Sequence, residues 1–151
     1  STAQEMHDAV LKYAYEVDDQ PDVVIMAAAV SDFKPKEISP LKMKKEDLGT
    51  TLKLTENPDI LADLGKKRKN NKPVLVGFAV ETGEIEDLIT DARDKLERKK
   101  ADIIVGNFAQ EALELDTNRV WIISKAGHQH EVSTTYKSRV ANKILDTILK
   151  F

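Results

Sequence analysis

Lys95 and Lys99 stand four residues apart in "DKLERKK", with Arg98 alongside. On a helix both ammonium groups share one face. Such a pair suits a polyphosphate, although Asp91, Asp94 and Glu97 are interleaved with it and a solvated helix face has the same look. Asn57, Pro58, Asp59 and Ile60 open a helix whose first N–H groups and dipole favour an anion or the polar edge of a base. Plain capping accounts for those residue types equally well. A third cationic feature is "DFKPKEISPLKMKK", from Asp32 to Lys45. Residues 34–46 hold five lysines against two glutamates, a local excess of +3. Two prolines stiffen the stretch without making it regular. It reads as a loop that closes over an anionic ligand and brings a lysine to charge developing in a transition state.

These cations need a scaffold, and the sequence supplies one. Residues 3–17 repeat apolar side chains at helical spacing (Met6, Val10, Leu11, Ala14, Val17), with Thr2 as N-cap. "PDVVIMAAAV" (21–30), "KPVLVGFAVE" (72–81) and "ADIIVGN" (101–107) read as buried strands, and "GTTLKLT" (49–55) as a short alternating one. "NPDILADLGKK" reads as a short helix with Asn57 at the N-cap, Pro58 at its first position and Gly65 at its stop. Residues 83–100 form a long polar-faced helix. "NRVWIIS" (118–124) and "QHEVS" (129–133) form a hairpin around Ala126–Gly127. A last helix is capped by Ser133 or Thr134, with Val140, Ile144, Leu145, Ile148 and Leu149 inward. Apolar strands alternating with helices predict a single α/β domain over 1–151, doubly wound about a mostly parallel, Rossmann-like sheet.

In such sheets ligands bind beyond the carboxyl ends of the strands. Three segments fall there. "AAAVSD" offers Ala27, Ala28 and Ala29 and ends in Asp32. "GFAVET" breaks a β-branched run with Gly77 and Phe78. "VGNFA" ends at Asn107. Tight helix–sheet packing explains each alone; three together point to a pocket for a phosphorylated substrate or nucleotide, with no reaction named.

Composition narrows the classes. The 151 residues carry a net charge of -3, 41% hydrophobic and 32% charged residues, which suits a globular domain and argues against a general nucleic-acid binder. No cysteine is present, so no thiolate chemistry comes from this chain. No apolar run reaches the ~18 residues of a membrane span. His7, His128 and His130 make no convincing metal set, and none is expected. Six glycines never cluster into a phosphate-binding loop.

"AAAVSDFKPKE", "KMKKE", "LKLTENPDIL", "VGFAVET", "DKLERKKAD" and "LELDTNRVWII" occur in the order and approximate spacing of phosphopantothenoylcysteine synthetase. The chain resembles this phosphopantothenate–cysteine ligase of coenzyme A biosynthesis over nearly its whole length. The resemblance implies activation of the 4'-phosphopantothenate carboxylate by a nucleoside triphosphate, CTP in preference to ATP, with release of pyrophosphate and with Mg2+ support. The amine of cysteine then attacks the acyl-nucleotide. By position, the resemblance puts Met26, Ala27, Ala28 and Asp32 at the nucleotide, and Asn57, Pro58, Asp59, Ile60 and Phe78 around base and sugar. It puts Lys95 and Lys99 on the triphosphate and makes Lys42 the catalytic lysine, acting electrostatically. It also implies a cytoplasmic homodimer formed around "LDTNRVWII" and its hairpin.

The family's amino-terminal strand, Gly-rich loop and Asn-containing segment have no counterpart here, nor has the bacterial decarboxylase partner. "GNFA" stands where an Asn-Asp pair is usual, which puts a ligand role for Asn107 in doubt. The stretch therefore resembles a carboxyl-terminal portion, with impaired or absent ligase activity expected of it alone. A non-catalytic nucleotide-binding or regulatory subunit is the alternative. A doubly wound module whose lysine face docks a protein is a third reading, and it predicts no nucleotide binding.

Overall fold

The computed structural model describes residues 2–37, 41–42, 51–112 and 115–151. Met43, Lys44, Lys45 and Gly49, singled out above, lie outside the described residues, as do the first residues of "LELDTNRVWII".

Helix α1 (Ala3–Tyr15) starts at a reciprocal cap: the Glu5 N–H donates to Thr2 Oγ1 at 3.2 Å, and the Thr2 N–H donates to the Glu5 carboxylate at 2.7 Å. It is followed by β1 (Val23–Ile25), β2 (Phe33–Pro35), β3 (Leu54–Glu56), α2 (Ile60–Lys67), β4 (Val74–Glu81), α3 (Ile85–Lys99), β5 (Ile103–Phe108), α4 (Ala109–Ala112), β6 (Thr117–Ser124), β7 (Gln129–Tyr136) and α5 (Lys137–Ile148). The main sheet runs β1-β4-β5-β6-β7. Its β1–β4 and β4–β5 pairs are parallel, and its β5–β6 and β6–β7 pairs antiparallel. Helices cover both faces, giving the α/β, Rossmann-like architecture expected from the alternating pattern.

Alternation along the strands sorts the core into two layers. Leu75, Ala79, Ile104, Trp121 and Ile123 face α1, α2 and α3. Val76, Ile103, Val105, Val120 and Ile122 face α5, which contributes Val140, Ile144 and Ile148. Gly77 and Gly106 bring the first set of helices close. A Cβ on Gly77 would meet Leu61 Cδ2 of α2 at 2.4 Å, and one on Gly106 would meet Leu88 Cδ1 of α3 at 2.9 Å. The glycine breaks in these strands are therefore filled by leucines from the helices, and packing rather than ligand space explains them.

Several elements differ from the sequence expectation. Within 21–30 only Val23–Ile25 is strand; β1 is the sheet edge with β4 as partner, and after the Met26 N–H bonds to the Val76 carbonyl at 2.8 Å the chain leaves the ladder. The start of the lysine-rich stretch is ordered: Phe33–Pro35 pairs antiparallel with Leu54–Glu56, forming a two-stranded ribbon. Proline is tolerated there because a two-stranded ribbon leaves each strand an open edge. Leu52 and Leu54, expected on one strand face, are both exposed. Asp59 caps α2 in place of Asn57, accepting from the Ala62 N–H at 3.1 Å, and Gly65 lies inside the helix. β7 runs on to Tyr136, so Ser133 and Thr134 are strand residues and not caps, while Leu145 and Leu149 of the α5 region are exposed. No helix among the described residues is long and apolar enough to cross a membrane.

Candidate functional site

The carboxyl ends of β1, β4 and β5 share one edge of the sheet. Beyond β1 the chain turns through Ala27, Ala28 and Ala29, all exposed, to Asp32. That turn is tied to the segment entering α2. The Asn57 N–H donates to the Asp32 carbonyl at 2.8 Å, and Asn57 Nδ2 donates to the Ser31 carbonyl at 2.8 Å. Asn57 is thereby taken out of helix capping, which passes to Asp59. Asn57 Oδ1 is buried and has no hydrogen-bond partner.

Asp59 links this corner to α3. Its Oδ2 lies 3.2 Å from Lys99 Nζ. One turn earlier on α3, Lys95 Nζ lies 2.5 Å from Asp91 Oδ2. Both lysines are mostly buried along their stems, at 20% and 19% side-chain exposure, so their heads are placed and not swept through solvent. Ser31, Asp32, Asn57, Asp59 and Lys99 thus form one run along the chain and its contacts: Ser31 and Asp32 are bonded to Asn57, and Asp59, two residues on, is paired with Lys99, with Lys95 next on the same helix face. Met26 and Ile60 belong to the core layer beneath it. Pro58 sits between Asn57 and the capping aspartate.

Phe78 is not part of that run. Gly77 points toward α2, so Phe78 points the other way and packs with Val76 and Val105 on the α5 face. Val80, on the same side, is 55% exposed, and Ile25 of β1 is 42% exposed. The sequence-predicted residues therefore occupy two faces that meet at the carboxyl edge: the acid–lysine corner over α2 and α3, and an apolar shelf around Phe78. Lys42 is exposed, and no described contact fixes it to either.

At the opposite edge of the sheet lies a cluster that the sequence reading left out. Asp102, 1% exposed, receives Arg68 Nη1 on one oxygen and Lys125 Nζ on the other, and accepts the Leu75 N–H at 2.8 Å. Arg68 also donates to the Lys100 carbonyl at 2.5 Å, at the end of α3. Burial would raise the Asp102 pKa, but these donors outweigh it and hold the carboxyl below its usual range. Its place, tying the start of β4 to the ends of α2 and α3, makes it a fastening of the scaffold. "AD" before an apolar strand carries no signal for it, because its partners come from positions 34 residues before and 23 after.

Among the described residues no group of three His, Asp or Glu side chains could hold a metal. His128 and His130 are exposed, at the β6–β7 hairpin and the start of β7.

Comparison with known proteins gives four further findings. The family described as "DNA/pantothenate metabolism flavoprotein C-terminal domain" matches residues 1–151. The coenzyme A biosynthesis bifunctional protein CoaBC of Bacillus subtilis (strain 168) is 43% identical over 150 residues, which cover 97% of this chain and 35% of that protein. The crystal structure of the C-terminal domain of a CoaBC protein superimposes with a TM-score of 0.71 at 35% identity, covering 97% of this chain and 60% of the other. A Cab2 mutant in complex with phosphopantothenate-cysteine shares the fold alone, with a TM-score of 0.59 at 20% identity over 85% of this chain and 44% of the other. The chain spans about a third of the length of the curated relatives it matches.

Proposed function

Because the chain belongs to the DNA/pantothenate metabolism flavoprotein C-terminal domain family, we propose that it is the ligase portion of a coenzyme A biosynthesis protein. The reaction joins 4'-phosphopantothenate to cysteine through an acyl-nucleotide made from CTP. The observation that carries this reading is the contact run from Ser31 and Asp32 through Asn57 and Asp59 to Lys99.

In this reading the substrate carboxylate attacks the α-phosphorus and pyrophosphate leaves. The cysteine amine then attacks the acyl carbon and expels the nucleotide monophosphate. The substrates supply both nucleophiles, so no side-chain nucleophile is required, in keeping with the absence of cysteine. Lys95 and Lys99 would exchange their carboxylate partners for phosphate oxygens. Lys42 would supply positive charge where negative charge builds at the reacting phosphate and carbonyl. Mg2+ would need no dedicated protein cage, since such ions bind through one or two carboxylates together with substrate phosphates. Asp32, an exposed carboxylate at the strand end with no ion pair among the described residues, fits that need. The magnesium would neutralise triphosphate charge. A homodimer through the β6–β7 hairpin, a cytoplasmic location and a decarboxylase partner domain complete the proposal.

The second reading, a nucleotide-binding subunit without catalysis, is favoured by one observation: Lys42 is exposed, and no described contact fixes it to the acid–lysine corner. Calorimetry separates the readings. With CTP and ATP, each with and without Mg2+, the ligase reading expects Mg2+-dependent CTP binding by this chain. It also expects Lys42→Gln in the full-length protein to keep nucleotide affinity within a few fold while turnover falls by about 100-fold or more. Turnover unchanged by Lys42→Gln refutes the catalytic role, and no nucleotide binding at all refutes both readings.

A further inference from the structure

Among the described residues every positive φ lies on or beside one cavity. Lys100 (φ 50°), Asn71 (φ 57°) and Gly127 (φ 85°) line it, and Asn70 (φ 53°) adjoins Asn71. Glycine and asparagine take this left-handed backbone readily. A lysine does not, and glycine is the usual residue where a helix ends as α3 does at Lys100. The cavity, of about 550 Å3, lies between the ends of α2 and α3 and the β6–β7 turn. Its α3 wall comes from Arg93, Leu96, Glu97 and Lys100, which share one helix face at spacings of three and four. Leu96 and Ile123 give it an apolar floor.

The charge around this cavity is unbalanced. Arg68, Arg93, Lys100 and Lys125 line it against Glu97. The Asp102 carboxylate takes up Arg68 and Lys125. With these four cations against two carboxylates, the local excess is +2. Among the described residues the Arg93 guanidinium reaches only the Gln129 carboxamide, at 3.3 Å. Glu97 stands four residues after Arg93 and three before Lys100, yet pairs with neither. Arg93 and Lys100 are both exposed, so two cations without a carboxylate partner overhang an apolar floor.

We propose that this cavity is a second anion site, which takes a phosphate monoester with an apolar body. Arg93 and Lys100 hold the phosphate, and the body lies on Leu96 and Ile123. A dianion matches the excess of two charges. Two turns of helix, about 10 Å, separate the two cationic residues, a span their long side chains close around one phosphate. The guanidinium forks two phosphate oxygens, and the ammonium adds a point charge. Lys125, engaged by Asp102, contributes charge and not contact. The site lies on the side of α3 turned to the hairpin, where Arg93 meets Gln129, whereas Lys99 turns to Asp59 of α2. It is therefore separate from the acid–lysine corner and independent of the nucleotide reading above.

The test uses phenyl phosphate as probe, with inorganic phosphate as the head alone and phenol as the body alone. Calorimetry and amide NMR shifts follow binding to the wild type, to Arg93→Gln/Lys100→Gln and to Lys100→Gly. Phenyl phosphate is expected to bind with a Kd of about 1 mM or tighter, about tenfold tighter than inorganic phosphate. It should shift the amides of Asn71, Ala101 and Gly127 and leave those of Ala27, Ala28 and Ala29 in place. Arg93→Gln/Lys100→Gln should weaken it by about tenfold or more. Lys100→Gly should raise Tm by about 2–4 °C by relieving the left-handed lysine, and lose phenyl phosphate affinity as it does so. Affinity unchanged in both variants overturns the proposal, as does a wild type that binds no phenyl phosphate. Shifts at Ala27–Ala29 in place of Gly127, or displacement of phenyl phosphate by CTP, also overturn it and assign the anion to the acid–lysine corner. A wild-type chain that binds phenyl phosphate at Gly127 but no CTP upholds this site while the nucleotide reading fails.

Discussion

Lys99 Nζ lies 3.2 Å from Asp59 Oδ2, so the acid that caps α2 through the Ala62 N–H also neutralises a lysine on α3. One side chain therefore fixes the start of one helix and occupies a cation of the next. Asparagine caps helices as well as aspartate does, so Asp59→Asn separates the two jobs. Stability is expected to change by less than about 1 kcal/mol, since the lost ion pair is partly exposed. Polyphosphate affinity is expected to rise severalfold at low salt, because Lys99 no longer has a competing anion, and the gain should vanish near 1 M salt. Calorimetry with CTP at two ionic strengths checks this. A loss of affinity would mean that Asp59 positions Lys99 and does not compete for it.

Removing the cations gives the complementary measurement. Lys95→Ala together with Lys99→Ala leaves Asp91 and Asp59 without their lysine partners and reverses the local charge. Binding of CTP should fall by one to two orders of magnitude, at about 1.4 kcal/mol per factor of ten. Cytidine, which has no phosphate, should be affected less than threefold. Equal losses for the two ligands would take the phosphate role away from these residues.

Much of this corner was legible in the sequence, and the reasons differ by element. The four-residue spacing of Lys95 and Lys99 fixed their common face because α3 is long and amphipathic, with Leu88, Ala92 and Leu96 buried beneath it. The Asn57–Ile60 segment was recognisable as a helix start, but not which residue caps it. That depended on Ser31 and Asp32, 26 and 25 positions earlier, claiming the Asn57 side chain and N–H. Phe78 was legible as a strand residue, whereas its face depended on Gly77 receiving Leu61, a contact no periodicity records. The β2–β3 ribbon was hidden by Pro35 and the surrounding lysines, since cross-strand pairing over 20 residues leaves no local trace. Asp102 was invisible for the same reason.

Gly65 offers a stability test that runs against helix propensity. In the middle of a helix, alanine is normally favoured over glycine by about 1 kcal/mol. Here a Cβ would stand 2.0 Å from the Lys99 carbonyl oxygen, a backbone atom that cannot swing aside. Helices α2 and α3 must part to admit it. Gly65→Ala should therefore destabilise by about 3 kcal/mol. Gly77→Ala should cost less, about 1–2 kcal/mol, because its clashes are with the side-chain ends of Leu61 and Ile104. Urea denaturation of both variants ranks them. Gly77→Ala being the more damaging would show that the core, and not the α2–α3 contact, is the tighter fit.

The Asp102 cluster predicts how the fold responds to acid. Burial opposes ionisation of this carboxyl, but Arg68, Lys125 and the Leu75 N–H together prevail and hold its pKa below the ordinary 3.8. The unfolded chain therefore takes up this proton at a higher pH than the folded one. The stabilisation is complete above the unfolded value and is lost as pH falls through the folded value. Asp102→Asn keeps the shape but leaves Arg68, with 8% side-chain exposure, facing a neutral group. Breaking a buried pair in this way costs about 3–5 kcal/mol. The deficit relative to wild type should be full at pH 7 and begin to narrow below about pH 4, where the unfolded chain takes up the proton, closing only as pH falls through the lower folded value. Guanidinium denaturation at pH 7 and at pH 3 measures both ends. A deficit that stays constant across that range would show that the carboxamide fails through its packing and not through lost charge.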